Sequence, residues 1–262
     1  MGTDVEAPGT EPRDVSGAAA AGVRVAGVAK AFGAVRALAD VSLRVPAGSI
    51  VAVVGPSGCG KSTLLELVCG LQAPDAGTVD APPAALMPQH DALLPWLSAL
   101  ENAALAMRLA GTPRAQARGA AREHFAHFGL EGFERARPRE LSGGMRQRVA
   151  FVRTLLAGRP LLCLDEPFGA LDALTRQRMQ AWLADALAVE PRTVLLVTHD
   201  VEEAVLLADR IVLLSERPGR VIAELDVSLP RPRHRTDAAV QALRERALDV
   251  LESPAPPGSE RG

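Results

Sequence analysis

Short, fully apolar runs alternate along this chain with longer stretches whose apolar residues recur at three- and four-residue spacing. That alternation is the signature of a mainly parallel sheet with helices packed on its faces. Val41 to Val45, the turn Pro46-Ala47-Gly48 and Ile50 to Val54 read as two strands, and the second is apolar at every position, as a strand buried on both faces must be. A glycine loop follows and opens a helix that starts at or near Lys61, carries Leu64, Leu65, Leu67 and Val68, and stops at Gly70, which can take the left-handed geometry of a helix end. From Ser98 to Gly129 the pattern predicts two helices. Ser98-x-x-Glu101 fits a capping box, and Thr112-Pro113 fits an N-cap followed by proline at the first helical position. Strand and helix then alternate again through Leu161 to Leu164, Val194 to Val197 and Ile211 to Leu214. The expected fold class is α/β, with an all-helical sub-lobe at about residues 91–158 inserted into the sheet-bearing core.

Residues 1–22 and 253–262 lack apolar periodicity and are rich in Gly, Ala, Pro and charge, so both are expected to be disordered tails flanking one domain over 23–252. A helix-like stretch runs from Asp237 to Leu251. The formal net charge of -2 in 262 residues gives no basic excess and argues against a nucleic-acid partner. A membrane span needs roughly 20 consecutive apolar residues, and the longest apolar runs here are strand length. The chain is therefore expected to be cytoplasmic. Cys59, Cys69 and Cys163 suit reduced thiols better than a disulfide framework.

Gly55-Pro56-Ser57-Gly58-Cys59-Gly60-Lys61-Ser62 matches GxxxxGK[ST] between a buried strand and a helix, the context that this phosphate-binding loop requires. Its glycines let backbone N–H groups turn toward phosphate oxygens, the helix N-terminus adds favourable potential, and Lys61 brings a positive charge to the β- and γ-phosphates. The nucleotide-binding set is thus Gly55, Pro56, Ser57, Gly58, Cys59, Gly60, Lys61, Ser62 and Thr63, with the Ser62 hydroxyl a magnesium ligand. Cys59, close to a helix N-terminus, is expected to favour the thiolate and to react with alkylating agents unless ATP protects it. The loop alone would describe a GTPase, a nucleotide kinase or a helicase equally well.

Leu161-Leu162-Cys163-Leu164 ends in Asp165-Glu166, and open parallel sheets bind ligands at the carboxyl ends of their strands. Asp165 is suited to hold magnesium, and Glu166 to orient and deprotonate the water that attacks the γ-phosphate. His199, after the strand Val194 to Val197, stands at an equivalent strand end, where an imidazole could contact the γ-phosphate or its water.

Leu141-Ser142-Gly143-Gly144-Met145, followed by Arg146-Gln147-Arg148, closely resembles the LSGGQ signature of ABC ATPases, with methionine in the last and more tolerant place. The resemblance extends in the family's order over roughly residues 23 to 230. It makes Gln89 the Q-loop glutamine and a catalytic and magnesium-binding residue, Gly169-Ala170-Leu171-Asp172 the D-loop, His199 the switch histidine and Phe32 the aromatic residue that stacks on adenine. It implies a P-loop NTPase with a RecA-like, mainly parallel core and an antiparallel β sub-lobe. It also implies that Ser142, Gly143, Gly144 and Asp172 meet ATP held by a second copy of the chain, so that dimerisation belongs to the mechanism.

The run Gln89-His90-Asp91-Ala92-Leu93-Leu94-Pro95-Trp96 is similar to the Q-loop of importers for nitrate, sulfonates, taurine and thiamine precursors. The resemblance implies an ATPase on the cytoplasmic face of the membrane, working with separate permease subunits and, indirectly, a solute-binding protein. Leu93, Leu94 and Trp96 are then candidate anchors for the permease, with core packing the equal alternative. One departure stands out: between Gly70 and Gln89 the chain is short, and Asp80-Ala81-Pro82-Pro83 replaces a β-hairpin, so the antiparallel sub-lobe is expected to be trimmed. A soluble ABC ATPase is the competing reading. Translation types usually carry two cassettes and repair types a long coiled coil, and this single cassette has neither. Intact Glu166 and His199 argue against a cassette that has lost hydrolysis. His124 and His127 share a helix face without further ligands and are assigned no role.

Overall fold

The computed structural model describes residues 22–169, 171–189 and 192–253. The two expected tails lie outside these residues except for Gly22 and Ser253, as does Ala170. Strand β1 (Val23–Phe32) pairs antiparallel with β2 (Val35–Val45) and with β4 (Ala76–Asp80), giving a three-stranded sheet in the order β2-β1-β4. β2 extends well upstream of the Val41 to Val45 strand read from the sequence. β4 ends at Asp80, and the Ala81–Pro83 segment runs straight into β5 (Ala84–Met87) with no hairpin between them, the trimmed sub-lobe that the prolines foretell.

The second sheet has six strands in the order β5-β6-β7-β3-β8-β9, where β3 is Ile50–Val54, β6 Leu161–Asp165, β7 Thr193–Thr198, β8 Arg210–Leu214 and β9 Val221–Asp226. All pairs are parallel except β8 with β9. The two faces of each central strand feed two separate cores. Ile50, Ala52 and Val54 face one apolar cluster with Leu162 and Leu164, whereas Val51 and Val53 face another with Leu161 and Cys163. This period-two division explains why the strands are apolar at every position.

Helix α1 (Lys61–Val68) buries Leu64, Leu65, Leu67 and Val68 in the second cluster and ends with Gly70 at φ 68, the left-handed stop its sequence predicts. Between β5 and β6 lie α2 (Ala99–Ala103), α3 (Leu105–Leu109), α4 (Arg114–His127) and α5 (Gly143–Leu155). The capping box is present, with Glu101 N donating to Ser98 Oγ at 3.3 Å and Ser98 N to Glu101 Oε2 at 3.3 Å. The first of the two expected helices is broken at Ala104 into α2 and α3. The second starts one residue late: Pro113 takes the cap position, because the Thr112 N–H closes the preceding helix onto Met107 O at 3.0 Å instead of leading a new one.

Three elements complete the chain: α6 (Ala173–Val189), α7 (Val201–Leu207) and α8 (Ala238–Glu252), the last covering the stretch with helical spacing near the C-terminus. No helix among the described residues is long and apolar enough to cross a membrane.

Candidate functional site

Strands β6, β7 and β3 lie side by side and parallel, so the residues that follow them emerge along one edge of the sheet. The phosphate loop follows β3, Glu166 follows β6 and His199 follows β7. A cavity of about 330 Å³ is lined by Phe32, Ser57, Gly58, Gly60, Lys61, Ser62, Thr63, Gln89 and Glu166, each expected from the sequence, together with Val35, Ala37 and Arg217, which were not.

The loop's shape depends on glycine. Gly60 caps α1 at φ 104, and a Cβ there would sit 2.8 Å from the Ala37 carbonyl oxygen. Lys61 is buried, and its ammonium donates to the carbonyl oxygens of Gly55 at 2.8 Å and Pro56 at 2.9 Å, which folds the side chain back across the loop. Cys59 departs from expectation. Its side chain is 1 % exposed and packed in the core, and burial pushes its thiol up, outweighing the nearby Lys61 charge. Only its backbone belongs to the loop surface, and the thiolate expected from helix-terminus position does not form readily there.

Glu166 sits at φ 46, a left-handed conformation unusual for a residue with a side chain, held by its N–H donating to Val197 O at 2.8 Å and its carbonyl accepting from Gly169 N at 3.1 Å. The strained turn aims its carboxylate into the cavity, where Oε2 accepts from Gln89 Nε2 at 3.1 Å and Oε1 lies 3.1 Å from His199 Nδ1. Gln89, Glu166 and His199 therefore meet in one cluster although 110 positions separate the first from the last. Asp165 is buried and hydrogen-bonds the Ser62 side chain; burial is the main influence raising its carboxyl above the usual carboxylate range, with the Glu166 charge adding to it.

The segment after Gln89 is fastened to α5. Arg146 Nε donates to Asp91 Oδ2 at 2.9 Å, and Arg153 donates to the Asp91 and Ala92 carbonyls at 2.8 Å each. The buried Asn102 holds the following residues, accepting from Leu94 N and donating to Leu94, Leu97 and Ser98 carbonyls. Of the three apolar candidates in this run, Leu93 belongs to the core, Leu94 is half-buried and Trp96 is 64 % exposed.

Ser142, Gly143 and Gly144 do not line the cavity. They form the N-terminal tip of α5, with Ser142 and Gly143 exposed and Gly144 half-buried, where Ser142 Oγ accepts from Met145 N at 3.2 Å. Asp172 likewise stands apart, its Oδ1 accepting from Thr175 N at 3.0 Å. Phe32 presents a ring 48 % exposed at the cavity mouth, with Lys30 Nζ 5.7 Å from its centroid and braced by Asp75 at 2.9 Å.

Two features carry no sequence signal strong enough to flag them. Arg217 lines the cavity from the β8–β9 loop, which only the fold brings near. On α7, Glu203 is 3 % exposed, and one carboxyl oxygen, Oε1, has no hydrogen-bond partner; burial, then the nearby Asp200 carboxylate, push its carboxyl up to about 8. Arg176 Nη2 donates to Leu171 O at 3.1 Å, and Nη1 lies 4.0 Å from Asp200 Oδ2.

The chain is similar to known proteins over most of its length. A family model described as ABC transporter matches residues 38–169. The chain is 44% identical over 237 residues to the aliphatic sulfonates import ATP-binding protein SsuB 1 of Rhodococcus jostii, covering 88% of this chain and 93% of that one. It is 47% identical over 208 residues to the taurine import ATP-binding protein TauB of Burkholderia pseudomallei, covering 76% and 80% respectively. Among solved structures, the dimeric structure of a bacterial ABC transporter cassette superposes with a TM-score of 0.74 at 29% identity, over 79% of this chain and 100% of the other. A cassette in a post-hydrolysis state bound to ADP and Pi gives 0.73, also at 29% identity. With the signature, the phosphate loop and the strand-end acids in the family's order, and with identities of this size over most of the chain, the protein belongs to the ABC transporter family.

Proposed function

We propose that this chain is the ATP-hydrolysing subunit of an importer for small sulfonates of the taurine and alkanesulfonate kind, acting with separate permease subunits at the cytoplasmic face of a membrane. The observation that carries the hydrolytic reading is the meeting of Glu166, Gln89 and His199 at the rim of the phosphate loop. The substrate class rests on the two import proteins to which the chain is similar.

In this reading the N–H groups of residues 57–63 and the Lys61 ammonium bind the phosphates, and Phe32 stacks on the adenine. Glu166 takes the proton of the attacking water, while His199 and Gln89 hold the carboxylate in register. The buried Asp165, paired with the Ser62 hydroxyl and flanked by a second carboxylate, is the kind of oxygen donor set that fits a hard divalent cation, and Gln89 could complete it. Magnesium bound there would neutralise charge on the β- and γ-phosphates.

The Ser142-Gly143-Gly144 tip supports a second role. Outside the lining of its own cavity yet built as an anion-binding helix start, it would close on the nucleotide of a second copy, with Asp172 at the same junction. Residues 23–252 form the single ATPase domain in this proposal. Trp96 would seat the permease, and a solute-binding protein would act through that permease.

Two experiments test it. The chain co-expressed with its permease and reconstituted into vesicles should drive ATP-dependent uptake of labelled taurine or an alkanesulfonate; ATP turnover without a permease that binds it would favour a soluble ABC ATPase. Light scattering of Glu166→Gln with MgATP should show a dimer, and a strictly monomeric nucleotide complex would sink the two-sided site.

A further inference from the structure

The β8–β9 loop that carries Arg217 is wedged against the nucleotide cavity. Gly219 N donates to Ala37 O at 2.9 Å and Ala39 N to Gly219 O at 3.0 Å, which joins the loop to β2. A Cβ on Gly219 would lie 2.2 Å from the Cys59 carbonyl oxygen, so no other residue lets the loop approach the phosphate loop this closely. Within the turn, Ser215 Oγ accepts from Arg220 N at 3.0 Å and can donate to the carbonyls of Glu216 and Pro218 at 2.8 and 3.2 Å. The backbone on either side of Arg217 is therefore held in place, and its side chain lines the nucleotide cavity.

The wall it lines is shared with Phe32, Ala37, Gly60 and Lys61. Arg217 is exposed, and among the described residues its guanidinium makes no hydrogen bond or ion pair. Arginines elsewhere in the C-terminal part of the chain are engaged: Arg210 is paired with Glu224 and Asp226, Arg231 with Asp209, and Arg233 with the carbonyls at the end of α7. An arginine with no intramolecular duty, held by a rigid turn at the edge of a pocket built for polyphosphate, has its fork of donors free for an anion.

We propose that Arg217 is a nucleotide-contacting residue, its guanidinium pairing with an anionic phosphate oxygen of the bound nucleotide from the β8–β9 side of the cavity. The inference rests on the reading of that cavity as the ATP site. It adds a contact from outside the phosphate loop and makes nucleotide affinity depend on the seating of the Gly219 turn against Cys59 and Ala37.

Isothermal titration of the full chain with MgATP, MgADP and adenosine tests it, using R217Q, R217K, R220Q and K61A. Arg220 shares the loop but does not line the cavity, so R220Q should bind as wild type. R217Q should weaken MgATP and MgADP by about tenfold or more, the size of a lost charge-assisted hydrogen bond, with R217K recovering part of it. Since Arg217 makes no internal contact, the thermal midpoint of the free protein should not move. Wild-type affinity in R217Q, or an equal loss for adenosine that would point to the base, overturns the proposal. If K61A loses MgATP while R217Q does not, the Arg217 contact alone fails; if K61A binds normally, the ATP-site reading itself fails.

Discussion

The imidazole Nδ1 of His199 lies 3.1 Å from the Glu166 carboxylate, and that carboxylate sits on a backbone at φ 46. A left-handed conformation costs on the order of 1–3 kcal/mol for a residue with a Cβ. It persists here because Val197 and Gly169 fix the turn and because Gln89 and His199 hold the two oxygens. Replacing Glu166 with Gln keeps the shape and removes the proton acceptor. Hydrolysis is expected to fall by roughly a hundredfold to ten-thousandfold while MgATP binding survives. Single-turnover phosphate release, alongside binding titration, checks both halves. Full turnover in this variant would show that another group takes the proton.

Burial rather than helix-end position governs the Cys59 thiol, and a mutual hydrogen bond governs Cys69 and Cys163. Cys59 and Cys163 are buried, whereas Cys69 is only partly so, and a hydrogen bond with Cys163 holds the Cys69 thiol below its ordinary range. In the native protein iodoacetamide should therefore label Cys69 first, Cys59 should react only on unfolding, and bound ATP should offer little protection. Peptide mapping by mass spectrometry gives the order. Rapid labelling of Cys59 that ATP blocks would mean that the phosphate loop opens readily in solution.

The same contrast shows what a sequence can and cannot reveal. The all-apolar β3 and β6, the glycine loop with its exact spacing before α1, and the Ser98 capping box are local patterns, and each forms where its residues say. Strand-end placement of Glu166 and His199 was legible too, because parallel strands share one functional edge. What stayed hidden depends on distant chain segments. Cys59 is buried in an apolar cluster that gathers residues from β1, β2, β3, β6, β7 and β8, and Arg217 lines the cavity from a turn that backbone bonds join to β2. The break at Ala104 and the late start of α4 are boundary effects of a single residue, decided by backbone bonds that composition does not encode.

Of the apolar run after Gln89, Leu93 is buried in the core and Leu94 half-buried; Trp96 remains outside, 64 % exposed, on a segment braced by Asn102 and by Arg137 donating to the Trp96 carbonyl at 3.2 Å. A large aromatic on a rigid loop is suited to be an interface anchor. Trp96→Ala should leave the ATPase activity of the isolated chain unchanged and weaken assembly with the permease by about 2 kcal/mol or more, roughly thirtyfold. Co-purification and transport in vesicles provide the measure. Unaltered assembly would return Trp96 to the ordinary exposed surface.

Glu203 gives the pH prediction. Its carboxyl, raised from 4.5 to about 8 by burial and by the Asp200 charge, faces Arg176 of α6 as well as Thr198 and Gln180. Between those two values the folded protein holds a proton that the unfolded chain has released. Stability contributed by the neutral acid is therefore full below about pH 4.5, lost progressively as pH rises toward 8, and constant above it. Glu203→Gln cannot ionise, so its stability relative to wild type should grow by up to about 1.4 kcal/mol for each pH unit in that window. Urea unfolding of both proteins at several pH values reads this directly. Curves that run parallel from pH 5 to 8 would mean that water or Arg176 already stabilises the ionised form. A gain confined to this window would instead identify a neutral acid on the buried face of α7, held at the expense of alkaline stability.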